Sequence, residues 1–150
     1  MRNIHWWPPY LGAGISVLEM NEDITSITVG MRLTWWNQNI VKVHFGGSLY
    51  AMCDPFFMLI LMLHLGRDFI VWDKAATIRF KRPGTGSVKV TFAISQLRIA
   101  ELRQQALSAL KVEPVFTTTI TNEEGKVVAE VEKLLYIRVR PVVASDTAPL

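Results

Sequence analysis

Apolar and polar residues alternate near both ends of this chain and give way to an almost unbroken apolar run in the middle. Over residues 24–33, Thr25, Ile27, Val29 and Met31 alternate with Ile24, Ser26, Thr28 and Gly30. That period of two marks a half-buried strand. Residues 15–20 read as the strand before it, joined through the turn Asn21-Glu22-Asp23. From Phe69 towards Arg82, Ala76, Ile78 and Phe80 share one face, and Thr77, Arg79 and Lys81 share the other. After the turn at 83–86, residues 87–95 place Val88, Val90, Phe92 and Ile94 on one side. Residues 115–121 and 126–140 read as two more strands around a turn at 122–125.

Two stretches have helical character. Residues 96–110 carry Ile99, Leu102, Ala106 and Leu110 along one stripe, as a surface helix does. Residues 49–65 are apolar on every face, so a helix there must be buried on all sides. Gly46-Gly47 permits a tight entry to it. The order is two strands, a buried helix, two strands, a surface helix and two strands. Hairpin-style links favour an antiparallel sheet wrapped around the central helix, an α+β fold. One small sheet cannot cover such a helix, so a second copy is expected to complete its burial. Pro8 and Pro9 argue against a regular helix in the arm of residues 1–14, whose aromatics are expected to pack on the body or a partner subunit. The arm, a domain over 15–140 and a frayed tail over 141–150 make up the expected organisation.

Composition narrows the classes. The chain has 150 residues, half of them hydrophobic, which suits one domain with a well-filled core. A net charge of +3 is too mild to argue for nucleic acid. Cys53 is the single cysteine, which excludes an internal disulfide framework and fits a reducing compartment. The opening MRNIHWWPPY lacks a charged segment followed by an apolar one, so no signal peptide is expected. The apolar run at 55–63 is too short to span a bilayer, and a cytoplasmic protein is expected. His44 and His64 have no cluster of metal-ligating residues around them in sequence, so no metal is expected.

Three residues could carry chemistry. Gly46 falls at the helix start, where free amides and the helix dipole can hold a developing oxyanion. Asp54 is the one acid in the apolar run. It follows eight residues later, roughly 12 Å along a helix, too far for both to reach one carbonyl within a chain. Acting together, they would come from two subunits. Asn39 stands just upstream. Each also has a plainer role: Gly46-Gly47 as a tight turn, Asn37 and Asn39 as turn residues, and Asp54-Pro55 as the cap and first turn of a new helical segment. His44 and His64 suit structural hydrogen bonds, Cys53 an inert core position, and Arg79, Lys81 and Arg82 a solvated strand face.

The run from Asn39 through His44-Phe45-Gly46-Gly47 to Asp54 resembles the Asn…His-Gly-Gly…Asp pattern of PaaI-like hotdog-fold acyl-CoA thioesterases. IRFKRPGTG resembles the segment that follows the hotdog helix in that family, and WWNQN, HFGGSLYAMCDPFF, VWDKAA and EVEKLLYIRV are similar to a tetrameric thioesterase-like branch of it; the resemblance covers about residues 10–139. The resemblance implies a hotdog fold and hydrolysis of an acyl-CoA to a carboxylic acid and CoA, without cofactor, by a homodimer or homotetramer. By it, Gly46 supplies the oxyanion amide, Asp54 is base or nucleophile, and Asn39 orients water or the carbonyl. Gly47 and His44 would line the substrate site, and Arg79, Lys81 and Arg82 would meet CoA phosphates on charge grounds. Two positions depart from the pattern: Phe45 stands where the family has its histidine, and Pro55 follows Asp54. Both leave room for a hotdog protein that binds acyl-CoA without cleaving it. A hotdog hydratase or dehydratase needs a histidine paired with an acid, and the sequence offers no obvious pair.

Overall fold

The computed structural model describes residues 7–141. Six strands form one antiparallel sheet in the order β1-β2-β4-β5-β6-β3. They are β1 (Ile15–Met20), β2 (Ser26–Arg32), β3 (Phe69–Phe80), β4 (Ser87–Ala93), β5 (Val115–Asn122) and β6 (Val127–Val139). The alternation expected in β2 is present: Ile27, Val29 and Met31 are buried, as are Val88, Val90 and Phe92 of their neighbour β4. Thr28 and Thr91 pair across the opposite face through their hydroxyls, 3.0 Å apart. The tail over 142–150 and residues 1–6 lie outside the described residues.

The central apolar run is two helices. They are α2 (Gly46–Ala51) and α3 (Phe56–Leu65). The break falls at Pro55, which lacks the N–H that a continuous helix would use there. Phe56, Phe57, Ile60, Leu61 and Leu65 of α3 are buried. Phe56 stacks on Phe92 with centroids 5.0 Å apart. Burying side chains of this size contributes about 2 kcal/mol each. The run is not covered on all sides by its own chain, however: Met62 and Leu63 remain 47% and 52% exposed. Taken as one stretch, Gly46–Leu65 has the length and apolarity of a membrane span, but it is divided into two short helices. Half of it is buried, as in the core helix of a globular fold.

Two other elements differ from expectation. The prolines of the arm open a helix rather than forbid one: α1 (Pro8–Ala13) has Pro8 and Pro9 in its first turn, where their missing N–H groups go unused. Its Tyr10 is buried and donates to the Ala51 carbonyl at 3.2 Å, tying the arm to α2. The surface helix α4 (Gln96–Ser108) ends before Leu110, which is exposed. Ile99, Leu102 and Ala106 form its buried stripe. Ser95 caps it by accepting from Arg98 N, and Arg103 donates to the His64 carbonyl at the end of α3 while lying over the Phe69 ring.

β3 carries a bulge that re-phases it. Asp73 pairs with Leu135 and Ala75 with Leu134, leaving Lys74 as the extra residue. Before the bulge Val71 pairs with buried Ile137; beyond it Ile78 pairs with buried Val131. The strand therefore changes which alternate residues face the helices. β3 is an outer strand of the sheet, with β6 on one side only among the described residues.

Candidate functional site

The segment between β2 and α2 builds one wall of a cleft. Asn37 anchors it. Its buried carboxamide donates to the Ala13 and Arg32 carbonyls at 2.9 and 2.8 Å and accepts from Thr34 N at 2.7 Å. All of its bonding is internal, so it serves the loop. Asn39 differs. Its Oδ1 accepts from Val41 N and Val43 N at 3.0 and 3.2 Å, which fixes the amide orientation. Nδ2, on a residue lining the cleft, then has no acceptor among the described residues.

His44 closes the wall. Its N–H donates to Gly84 O, and its ring Nε2 lies 3.0 Å from Gly86 O. A carbonyl partner requires Nε2 to carry the proton. Burial holds the ring's pKa below the ordinary histidine value, against the opposing bond to Gly86. The ring thus favours its neutral form and pins the β3–β4 turn.

α2 begins at the cleft. The first backbone bonds of the helix are those of Ser48 N and Leu49 N to Phe45 O, so the Gly46 and Gly47 amides precede them. The Phe80 ring covers Gly46, and the Phe45 ring folds over Gly47. The cleft measures about 420 Å³. Asn39, His44, Gly46, Phe80, Lys81 and Arg82 are among its lining residues. That is within the range of small-molecule sites. A second cleft of similar size, beside Ser16, Arg32 and Lys89, contains none of the sequence-identified residues.

Asp54 lies elsewhere. Its side chain is 46% exposed at the α2–α3 break and makes no capping bond to α3. Its Oδ1 instead accepts from Tyr50 OH at 3.2 Å and from Lys133 Nζ at 3.3 Å. Lys133 is fully buried and also reaches Asp73 Oδ2 at 2.9 Å. Asp73 Oδ1 is buried without a hydrogen-bond partner among the described residues. Burial raises the Asp73 pKa, outweighing the hydrogen bond and charge of Lys133. Burial also works against the Lys133 cation, but the bond to Asp73 and the charges of both aspartates outweigh it and raise its pKa. Lys133 therefore stays charged, and Asp73 is the carboxylate pushed towards its neutral form.

The cleft thus gathers Asn39, His44, Gly46, Lys81 and Arg82 from two segments of the chain, one before and within α2 and one after β3. It does not include Gly47, Asp54 or Arg79. Arg79 lies on the opposite sheet face beside Glu130 and Glu132, and Lys81 is engaged with Glu130 at 2.9 Å. Sequence reasoning missed Lys133, Asp73 and Tyr50. A signal for Lys133 was available: it falls in phase with Val131, Leu135 and Ile137, a cation on the inward face of a strand.

A family model described as a domain of unknown function, DUF4442, matches residues 3–137. The chain belongs to the DUF4442 family. No curated protein matches it. Among solved structures, this DUF4442 protein is similar to PA5026 of Pseudomonas aeruginosa, a protein of unknown function called a probable thioesterase. The two share 24% identity over 93% of each chain, with a TM-score of 0.80. Thioesterase HI1161 of Haemophilus influenzae matches with a TM-score of 0.67 at 16% identity, over 92% of this chain and 87% of that one. The PaaI protein of the Escherichia coli phenylacetic acid degradation operon matches with a TM-score of 0.55 at 20% identity, over 86% and 81%. At these identities the likeness establishes the fold, and the DUF4442 chain has the hotdog fold.

Proposed function

We propose that this protein hydrolyses an acyl-CoA thioester to a carboxylic acid and CoA, at a site assembled from two copies of the chain. The observation that carries this is the cleft, where the Gly46 amide, the free Asn39 Nδ2 and the cations Lys81 and Arg82 stand together. The thioester carbonyl would sit against the Gly46 amide, with Asn39 as a second donor, so that charge developing on its oxygen is met by fixed dipoles. Lys81 and Arg82 at the rim would meet CoA phosphates. Arg79, on the other face, leaves that group.

Among the described residues no carboxylate lines the cleft to complete the reaction, and Asp54 of a second copy would supply it. As general base, Asp54 takes a proton from water while the water oxygen attacks the carbonyl carbon. The C–S bond then breaks, the proton passes to the CoA thiolate, and the acid is released. The hotdog fold shared with proteins called thioesterases supports this choice of reaction. So does the half-exposed apolar face at Met62 and Leu63, which gives two copies a reason to associate.

Non-catalytic acyl-CoA binding is the second reading, favoured by the ion pair that already occupies Asp54 Oδ1. A hydratase is disfavoured, because His44 and His64 face the carbonyls of Gly86 and Ile24 rather than an acid. Release of free CoA thiol from short, long and aromatic acyl-CoAs decides among these. Turnover by the parent and a loss of about a hundredfold or more in Asp54→Asn supports hydrolysis. Tight binding without turnover overturns it in favour of the binding module.

A further inference from the structure

Lys133 is out of place among its neighbours. Val131, Leu135 and Ile137 share its face of β6, and all are buried apolar side chains. Lys133 is as buried as they are. A buried ammonium is tolerated only when paired and hydrogen-bonded. Asp73 meets that need at 2.9 Å, across a strand pair whose bulge brings the aspartate onto the same face. The contact with Asp54 is additional, and it goes to a carboxylate that water could serve.

The pattern of contacts on Asp54 is one-sided. Tyr50 OH and Lys133 Nζ both bond to Oδ1, at 3.2 and 3.3 Å. Oδ2 has no hydrogen-bond partner among the described residues. Tyr50 is itself held near the cation, its ring centroid 5.4 Å from Nζ. Tyr50 lies one helical turn before Asp54 in sequence, and Lys133 comes from the sheet below. Two anchors from different elements on one oxygen restrict rotation of the carboxylate and leave the other oxygen free.

We propose that Lys133 is the positioning residue for Asp54: with Tyr50 it pins Oδ1, and it leaves Oδ2 as the oxygen that takes part in the reaction. Asp73 holds Lys133 in place and does not touch substrate. This rests on Asp54 being the reacting carboxylate. A misdirected carboxylate lowers the rate of the chemical step while leaving substrate binding alone, because the binding groups sit in the cleft of the other copy.

Lys133→Met alone strands Asp73 as a half-buried, unpaired acid, and folding could fail for that reason. Lys133→Met/Asp73→Leu removes both charges of the pair and makes the site apolar. Thiol release by this double variant is expected to show kcat lowered about tenfold to a hundredfold with KM within about twofold. Adding Asp54→Asn to the double variant is expected to lower the rate only to that of Asp54→Asn alone, because Lys133 acts through Asp54. The ¹⁵Nζ resonance of Lys133, followed by NMR in otherwise native protein, is expected to move in Asp54→Asn. An active parent whose double variant keeps parental kcat overturns the positioning role and leaves hydrolysis standing. A parent that cleaves no acyl-CoA overturns hydrolysis. An Nζ resonance unmoved by Asp54→Asn overturns the pinning whether or not the protein turns over.

Discussion

Phe80 lies directly over Gly46: a methyl group on that glycine would come within 3.0 Å of Phe80 Cζ. The atom it would meet is the far end of an exposed ring, which can swing aside. Alanine also suits a first helical turn better than glycine, by up to about 1 kcal/mol. Gly46→Ala is therefore expected to leave the thermal midpoint within a few degrees of the parent. The same methyl stands where a thioester carbonyl must approach the amide, so turnover is expected to fall about tenfold or more. Thermal melts beside thiol release check this. Parental turnover in Gly46→Ala contradicts the assignment of the amide.

Asn37 and Asn39 look alike in sequence and differ in consequence. Asn37→Ala abandons one buried and one part-buried carbonyl and one amide, at a cost of about 3 kcal/mol, read as a shift in the urea midpoint. Asn39→Ala gives up two loop bonds that the Oδ1 accepts, costing about 1 kcal/mol, and removes the free Nδ2. Its larger effect is expected in kcat. If the two variants exchange these effects, the division of roles is wrong.

Alkali should destabilise the fold. Burial pushes the Cys53 thiol up to about 12 from an ordinary 9.0. Burial raises the Tyr10 phenol as well, helped by the charges of Asp54 and Cys53. Both groups keep their protons in the folded chain after the unfolded chain has lost them. The unfolded state binds fewer protons in that window, so stability falls as pH rises above about 9. Urea denaturation between pH 7 and 11 measures the slope, and Cys53→Ala is expected to flatten it. In the folded protein at pH 8 the thiol is expected to resist a disulfide reagent.

The strand pattern was legible wherever one sheet face is apolar and the other polar, which is why β2 and β4 lie where alternation puts them. The break between α2 and α3 was legible in Pro55. What the pattern hid are residues placed by tertiary contact. The bulge at Lys74 shifts the phase of β3 within a single strand, so Asp73 belongs with Val71 rather than with the outward row. Lys133 is chemically a surface residue, and only its phase within β6 reveals it. Gly46, Asn39 and the Lys81-Arg82 pair were found as candidates from a motif and from charge, but their convergence on one cleft depends on the β3–β4 turn that His44 pins.

Met62 and Leu63 stay half exposed on the most apolar helix of the chain, and β3 leaves one edge of the sheet open. Both features need covering. The purified protein is expected to sediment as a dimer or larger assembly at micromolar concentration. A strict monomer contradicts a shared site, because Asp54 does not line the cleft that contains Gly46 in its own chain.

The most direct test of the shared site is complementation. Asp54→Asn and Gly46→Ala are each mixed with the other at equal concentration after subunit exchange, and thiol release is followed. In a mixed dimer one of the two sites unites the intact Gly46 of one copy with the intact Asp54 of the other. Random exchange should restore about a quarter of the parental rate. A mixture no more active than the two variants measured separately would contradict a site built from two copies.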